Sequence, residues 1–148
     1  MPSHEPSEVM SAGPSSLRIL IADDDRDSVL TLELLLRQEG HAVRSVHSGR
    51  EVMKAVLDFN PEVVLLDIAL PPLSGWELGR MIREQFGHRV VLIGISGKYN
   101  LCADNILSDL VGFDHYVLKP YDPKALIALI TLIARQHLQS GRVQTGAL

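Results

Sequence analysis

Val63-Val64-Leu65-Leu66-Asp67 is an unbroken apolar run that ends on a carboxylate. A run this short, bounded by turn-forming residues, reads as a fully buried β-strand. Working outward, the pattern recurs on both sides. Leu17-Arg18-Ile19-Leu20-Ile21-Ala22 runs into Asp23-Asp24-Asp25, Val90-Val91-Leu92-Ile93-Gly94-Ile95 runs into Ser96, and Asp114-His115-Tyr116-Val117-Leu118 runs into Lys119-Pro120. A weaker strand covers about 42–46. Helical patterns fill the gaps at about 26–39, 49–59, 75–86, 101–111 and 122–138, with Gly40, Asn60-Pro61, Gly87 and Gly112 closing the first four. On the first helix Val29, Leu32, Leu35 and Leu36 form an inner stripe. Strands alternating with helices in this way imply an α/β fold, a parallel sheet covered on both faces. If the strands are neighbours, their polar ends lie along one edge, which is where open α/β sheets bind ligands.

The 148 residues suit one domain with a sizeable core. Residues 1–16, polar and rich in Ser and Pro, read as a disordered N-terminal tail, 17–138 as the domain and 139–148 as a flexible C-terminal tail. The net charge of −4 argues against direct binding to nucleic acid, which calls for a basic face. The single cysteine, Cys102, excludes an internal disulfide and reads as a small core thiol in a reducing compartment. The N-terminus lacks the apolar centre of a signal peptide, and no stretch approaches the ~20 apolar residues of a membrane span. The expected location is the cytoplasm. The six histidines show no metal-ligand spacing.

The strand ends carry the chemistry. Asp23, Asp24 and Asp67 form a hard oxygen set of the kind that suits Mg²⁺. Without a cation, three close carboxylates raise one another's pKa. Asp25 is the best candidate to cap the first helix. Beside a metal, the Asp67 carboxylate can act as a nucleophile toward phosphorus. Phosphoryl transfer then needs little beyond positioning and charge neutralisation. Mg²⁺ would neutralise one phosphoryl oxygen, Lys119 a second, and the Ser96 hydroxyl would donate to the third.

Taken together, these segments resemble the receiver domain of bacterial two-component response regulators. Ile19-Leu20-Ile21-Ala22-Asp23-Asp24-Asp25 matches the family's first strand and acidic pair. Val64-Leu65-Leu66-Asp67-Ile68-Ala69-Leu70-Pro71 matches the segment around its phosphorylated aspartate. Ser96 falls where the family has Thr or Ser, and Asp114-His115-Tyr116-Val117-Leu118-Lys119-Pro120 matches the final strand and its lysine. The resemblance covers about residues 17–138. It implies a flavodoxin-like three-layer α/β/α sandwich, with a five-stranded parallel sheet of order 2-1-3-4-5 and five helices. It implies that Asp67 accepts a phosphoryl group from a histidine kinase or histidine phosphotransfer protein. Asp23, Asp24, Asp67 and the backbone carbonyl of Ala69 would hold Mg²⁺, and the Lys119–Pro120 bond would be cis. Ser96 and Tyr116 fall at the family's switch positions: on phosphorylation Ser96 moves toward the phosphoryl group and the aromatic turns inward, a shift between two packings.

The chain departs from the family at Pro72, Ser74 and Gly97. Ala69 and Lys98 occupy positions that tune attack by water on the acyl phosphate, and neither could orient that water, so a long-lived phosphoryl state is expected. The Asp114-His115-Tyr116 string and the Ala69-Leu70-Pro71 loop resemble receivers attached to hybrid kinases, whereas Met1 favours a separate gene product; no output domain is recognised. The chain is expected to be a phosphoacceptor rather than an enzyme acting on other molecules. One alternative is a degenerate receiver that only binds a partner. Another is an aspartyl-phosphate phosphatase, which would want a second aspartate where Ala69 stands. The stretch 125–134 of the last helix carries no charge. Leu126, Leu129, Ile130 and Ile133 supply its inner stripe, leaving Ile127 and Leu132 at or beyond the edge. In receivers the fourth helix, fifth strand and fifth helix form the common output and dimer face, so this patch is expected to make a homodimer or dock an output partner.

Overall fold

The computed structural model describes residues 16–97 and 112–147, the last nine of these, 139–147, as backbone only. Among them the strands are β1 (Arg18–Ala22), β2 (Ala42–Val46), β3 (Val63–Asp67), β4 (Val91–Ser96) and β5 (His115–Leu118). The helices are α1 (Arg26–Gln38), α2 (Val52–Phe59), α3 (Gly75–Phe86) and α4 (Pro123–Ala147), with 3-10 turns at Gly49–Glu51 and Gly87–Arg89. All strand pairs are parallel, in the order β2-β1-β3-β4-β5. This is the flavodoxin-like order expected above. Four helices are found among the described residues rather than five; the helix expected at about 101–111, with Cys102 in it, lies outside them, as do Lys98 and residues 1–15.

Two differences concern the ends of the domain. Ser16, read as part of the tail, donates its hydroxyl to the Gly40 carbonyl at 2.8 Å and so belongs to the fold. The last helix does not stop at 138 but continues to Ala147. Gly141 and Gly146 each cost a helix only about 1 kcal/mol relative to alanine, and no proline follows Pro123 to break it.

Side-chain alternation along the strands splits the core in two. Ile19, Ile21, Val63, Leu65, Ile93 and Ile95 face Val29, Leu32 and Leu36 of α1 and Leu126, Ile130 and Ile133 of α4. Leu20, Ala22, Val64, Leu66 and Leu92 face Val52, Ala55 and Val56 of α2 and Leu78 and Ile82 of α3. Every residue of β3 is buried, as a central strand covered on both sides must be. Each of its large aliphatic side chains contributes about 1.5–3 kcal/mol of burial. Leu35, placed by periodicity on the inner stripe of α1, is only half-buried.

The helix ends follow their sequence signals. Asp25 caps α1, its carboxylate accepting the Ser28 hydroxyl at 2.8 Å and the Ser28 N–H at 3.4 Å. The Ser74 hydroxyl caps α3 by accepting the Glu77 N–H at 3.2 Å. Gly87 ends α3 at φ +64°, a conformation that favours glycine.

One structural side chain carried no signal of its role in the sequence. The Arg83 guanidinium, on α3, donates to the carbonyls of Gly87 (2.6 Å), Val90 (2.8 Å) and Gly112 (2.6 and 3.2 Å). It also pairs with Asp114 at 2.9 Å, whose same oxygen accepts the Leu92 N–H at 2.9 Å. One fork thus ties the end of α3 to the entries of β4 and β5. Arg83→Leu, which strands these acceptors, should cost on the order of 2–4 kcal/mol in urea unfolding. Arg83→Lys should recover only part of that, because an ammonium cannot reproduce the planar fork. Full recovery by lysine would show that charge alone matters.

Candidate functional site

The site grows out of the register. Ala22 pairs with Leu66 and Asp67 with Ile95, so β1, β3 and β4 end close together on one edge. Leu118 pairs with Ser96, which sets Lys119 just past the end of β4. The Lys119 N–H donates to the Ser96 carbonyl at 2.7 Å. The Lys119–Pro120 bond is cis.

Carboxylate oxygens of Asp23, Asp24 and Asp67 lie within 4.8 Å of one another. Asp23 and Asp67 are buried and Asp24 is exposed. The Lys119 ammonium sits between the two buried ones, 3.0 Å from Asp23 and 3.3 Å from Asp67. The other oxygen of Asp23 accepts the Asp25 N–H at 3.0 Å, and the other oxygen of Asp67 accepts the Ala69 N–H at 3.0 Å. The backbone of Asp23 is fixed as well: its N–H donates to Val46 at 3.1 Å. Its carbonyl accepts from His47 Nδ1 at 3.0 Å, which requires the proton on that nitrogen. His47 was not among the expected residues; a lone histidine after a weak strand gives no signal of this contact.

The electrostatics follow from this crowding. Burial first, and then the charge of Asp23, push the Asp67 carboxyl up to about 6, against the downward pull of the Ala69 N–H and the Lys119 ammonium. Burial works to lower the Lys119 ammonium, but its hydrogen bonds and charge contacts with Asp23 and Asp67 outweigh it and hold it above its ordinary value. A close set of hard oxygen donors, two of them buried, fits a small divalent cation such as Mg²⁺.

Ser96 is buried at the end of β4, and Tyr116 is half-buried in β5 beside Gly94. The Tyr116 ring stacks on Trp76 of α3, centroids 6.2 Å apart and planes 10° apart. Ala69 is exposed on the loop after β3. The loop returns tightly: Gly75 N–H donates to the Ile68 carbonyl at 2.6 Å. A Cβ on Gly75 would lie 2.5 Å from Ile68 Cα and 2.8 Å from the Asp67 carbonyl oxygen, so only glycine fits. Beside Lys119 and Gly97 opens a cavity of about 560 Å³, bordered by Asp25, Asp27, Thr31 and Tyr121. Of the two residues expected at a partner surface, Ile127 is half-buried against the α1–α4 core, whereas Leu132 is 51% exposed.

The chain matches the family model of the response regulator receiver domain over residues 19–131. It is 32% identical over 120 residues to the DNA-binding response regulator MtrA of Mycolicibacterium paratuberculosis, covering 81% of this chain and 52% of that protein. The Mycolicibacterium smegmatis protein of the same name is 33% identical over 120 residues, with 81% and 51% covered. The chain therefore spans about half the length of the curated relatives it matches. Among solved structures, a CheY-like receiver domain protein from Methanospirillum hungatei superimposes with a TM-score of 0.77 at 26% identity, covering 83% of this chain and 97% of that one. The response regulator DrrB of Thermotoga maritima, an OmpR/PhoB homolog, gives a TM-score of 0.73 at 27% identity, covering 81% and 53%. The name of the first two relatives stands against the expectation of no direct nucleic-acid role. That expectation came from net charge, which speaks only to broad electrostatic binding. Among the described residues no helix is long and apolar enough to cross a membrane.

The raised Asp67 pKa has a consequence for stability without divalent cation. The folded value of about 6 lies above the ~3.9 of an unfolded aspartate. The folded state thus holds this proton more tightly, and its stability falls as pH rises from about 4 through 6. Asp67→Asn should therefore be more stable than wild type at pH 7.5 in chelator, by on the order of 1 kcal/mol after screening at the crevice mouth. The gap should close toward pH 4. A gap that is absent, or constant with pH, would mean the carboxylate is not strained; paired urea titrations decide it.

Proposed function

The chain belongs to the response regulator receiver family, and we propose that it is a phosphoacceptor whose Asp67 takes a phosphoryl group from a phosphohistidine donor. The observation that carries this reading is the meeting of three carboxylates and one ammonium at the strand ends. Mg²⁺, held by Asp23, Asp24, Asp67 and the Ala69 carbonyl, would supply the positive charge that lets an anionic nucleophile approach an anionic phosphoryl group.

The protein's own groups do the rest. An Asp67 oxygen forms the new O–P bond while the N–P bond of the donor breaks, and the electron pair returns to the donor's imidazole. The Ala69 N–H keeps the other Asp67 oxygen oriented. The Lys119 ammonium, already against Asp67, moves to a phosphoryl oxygen as the charge shifts outward. The Ser96 hydroxyl donates to another, and Tyr116 turns inward behind it. Ala69 offers no group to position water, which favours a long-lived acyl phosphate.

On this reading the chain is an acceptor, cytoplasmic, and not an enzyme that turns over other substrates. A histidine kinase or histidine phosphotransfer protein charges it. Output passes through the surface around β5 and α4, to a second copy or a partner, with Leu132 rather than half-buried Ile127 as its apolar contact. The relatives' name adds DNA as the eventual target, reached through a partner or a further segment. The intact set of Asp23, Asp24, Asp67, Ser96 and Lys119 disfavours a degenerate receiver, and Ala69 disfavours a phosphatase.

Acetyl phosphate with Mg²⁺ should add one phosphoryl group to the protein, on Asp67, read by intact mass and peptide mapping. Undiminished labelling of Asp67→Asn would place the acceptor elsewhere. Mg²⁺ should also change the fluorescence of Trp76, the single tryptophan, which stands just past the loop from Asp67. Asp24→Ala should weaken that response about tenfold or more, as expected for loss of a ligand carboxylate. An unaltered titration would remove Asp24 from the metal site.

A further inference from the structure

Trp76 is the second residue of α3 and lies between the acceptor loop and β5. On one side it is tied to Asp67 through backbone: Gly75 packs its Cα directly on the Asp67–Ile68 peptide, with no room for a side chain. On the other side its ring meets two aromatics that lead into or lie on β5. Tyr116 is stacked on it at 6.2 Å, and Phe113 meets it edge-on at 5.7 Å and 81°. Phe113 is itself buried. A Cβ on Gly79 would fall 2.5 Å from its ring, and one on Gly94 would fall 3.0 Å from it. Trp76 is therefore backed by a ring seated in the space that two glycines leave open. Tyr116 and Gly94 are register partners, so the Tyr116 ring shares its sheet face with Ser96, two residues further along β4.

We propose that Trp76 is a positioning residue for the switch: its stack on Tyr116 exists in the unmodified packing and opposes the inward turn of that ring. The inference rests on Tyr116 acting as the switch aromatic of an Asp67-phosphorylated receiver. A contact present in only one of two packings shifts the balance between them by its own free energy. An offset aromatic pair contributes enough for about a two- to tenfold shift. Because α3 starts on the Asp67–Ile68 peptide, a shift of that peptide would be passed to the turn that carries Trp76. Asp67 would thus bear on Tyr116 by two routes, through Ser96 and through α3.

The test is the affinity for beryllofluoride with Mg²⁺, an analogue of the phosphoryl group, measured by calorimetry. Trp76→Leu should bind about two- to tenfold more tightly than wild type, and Trp76→Phe, with a smaller ring, should fall between them. In a Tyr116→Leu background the same Trp76→Leu change should leave affinity unaltered, a coupling that a merely structural role would not produce. Unchanged or weaker binding by both Trp76 variants, or an equal effect in the two backgrounds, would overturn the inference. If wild type itself fails to bind beryllofluoride, the Asp67 reading falls and this one with it. If wild type binds and the double-mutant cycle is null, only the role of Trp76 is lost.

Discussion

Two carboxylates, Asp23 and Asp67, have been taken almost wholly out of water and face one ammonium, that of Lys119. Like charges about 4 Å apart repel by about 4 kcal/mol at the effective dielectric of a protein surface. Lys119 and the main-chain donors of Asp25 and Ala69 offset part of that repulsion; burial first, and then the charge of Asp23, still leave the Asp67 carboxyl with a raised proton affinity. The fold exists around this tension. A slip of one residue in β3 would send Asp67 to the opposite face and Leu66 into the crevice, so the buried register of the central strand is also what aims the Asp67 carboxylate. The α2–α3 and α1–α4 cores hold that register from both sides.

Much of this was legible in the chain because local pattern and global fold agree. Each apolar run became a strand within a residue of its expected ends, and each polar terminus fell on the expected edge, since a parallel sheet leaves no other place for it. Asp25 could be separated from its two neighbours as a cap because its position relative to Ser28 is a local matter. The roles of Arg83, His47 and the Trp76–Tyr116 stack could not be read in this way. Their partners are distant in sequence, and a guanidinium under a loop or a ring over a ring leaves no periodic trace. Ile127 is a milder case. Periodicity put it at or beyond the edge of the stripe, and the structure packs it, half-buried, against the core that α1 and α4 share.

Glycine does unusual service on the α3 side of the sheet. Gly75, Gly79 and Gly94 are each placed where a methyl group would strike backbone or an aromatic ring. Together they leave room for Phe113 and for the start of α3 against the acceptor loop, where Trp76 meets Tyr116 of β5. The rigidity of that corner contrasts with the solvent-facing loop at Ala69, whose N–H is nonetheless fixed on Asp67.

The members of the crevice come from the ends of β1, β3 and β5, and this has a bearing on synthesis. Asp23 and Asp67 leave the ribosome well before Lys119 does. Until β5 docks, the two carboxylates have no ammonium between them, and that edge carries their mutual repulsion unrelieved. Domains fold as units once their last element is available. A chain that stopped short of β5 would therefore lack the ammonium that lies between Asp23 and Asp67, and the carboxylate pair would stand unbalanced.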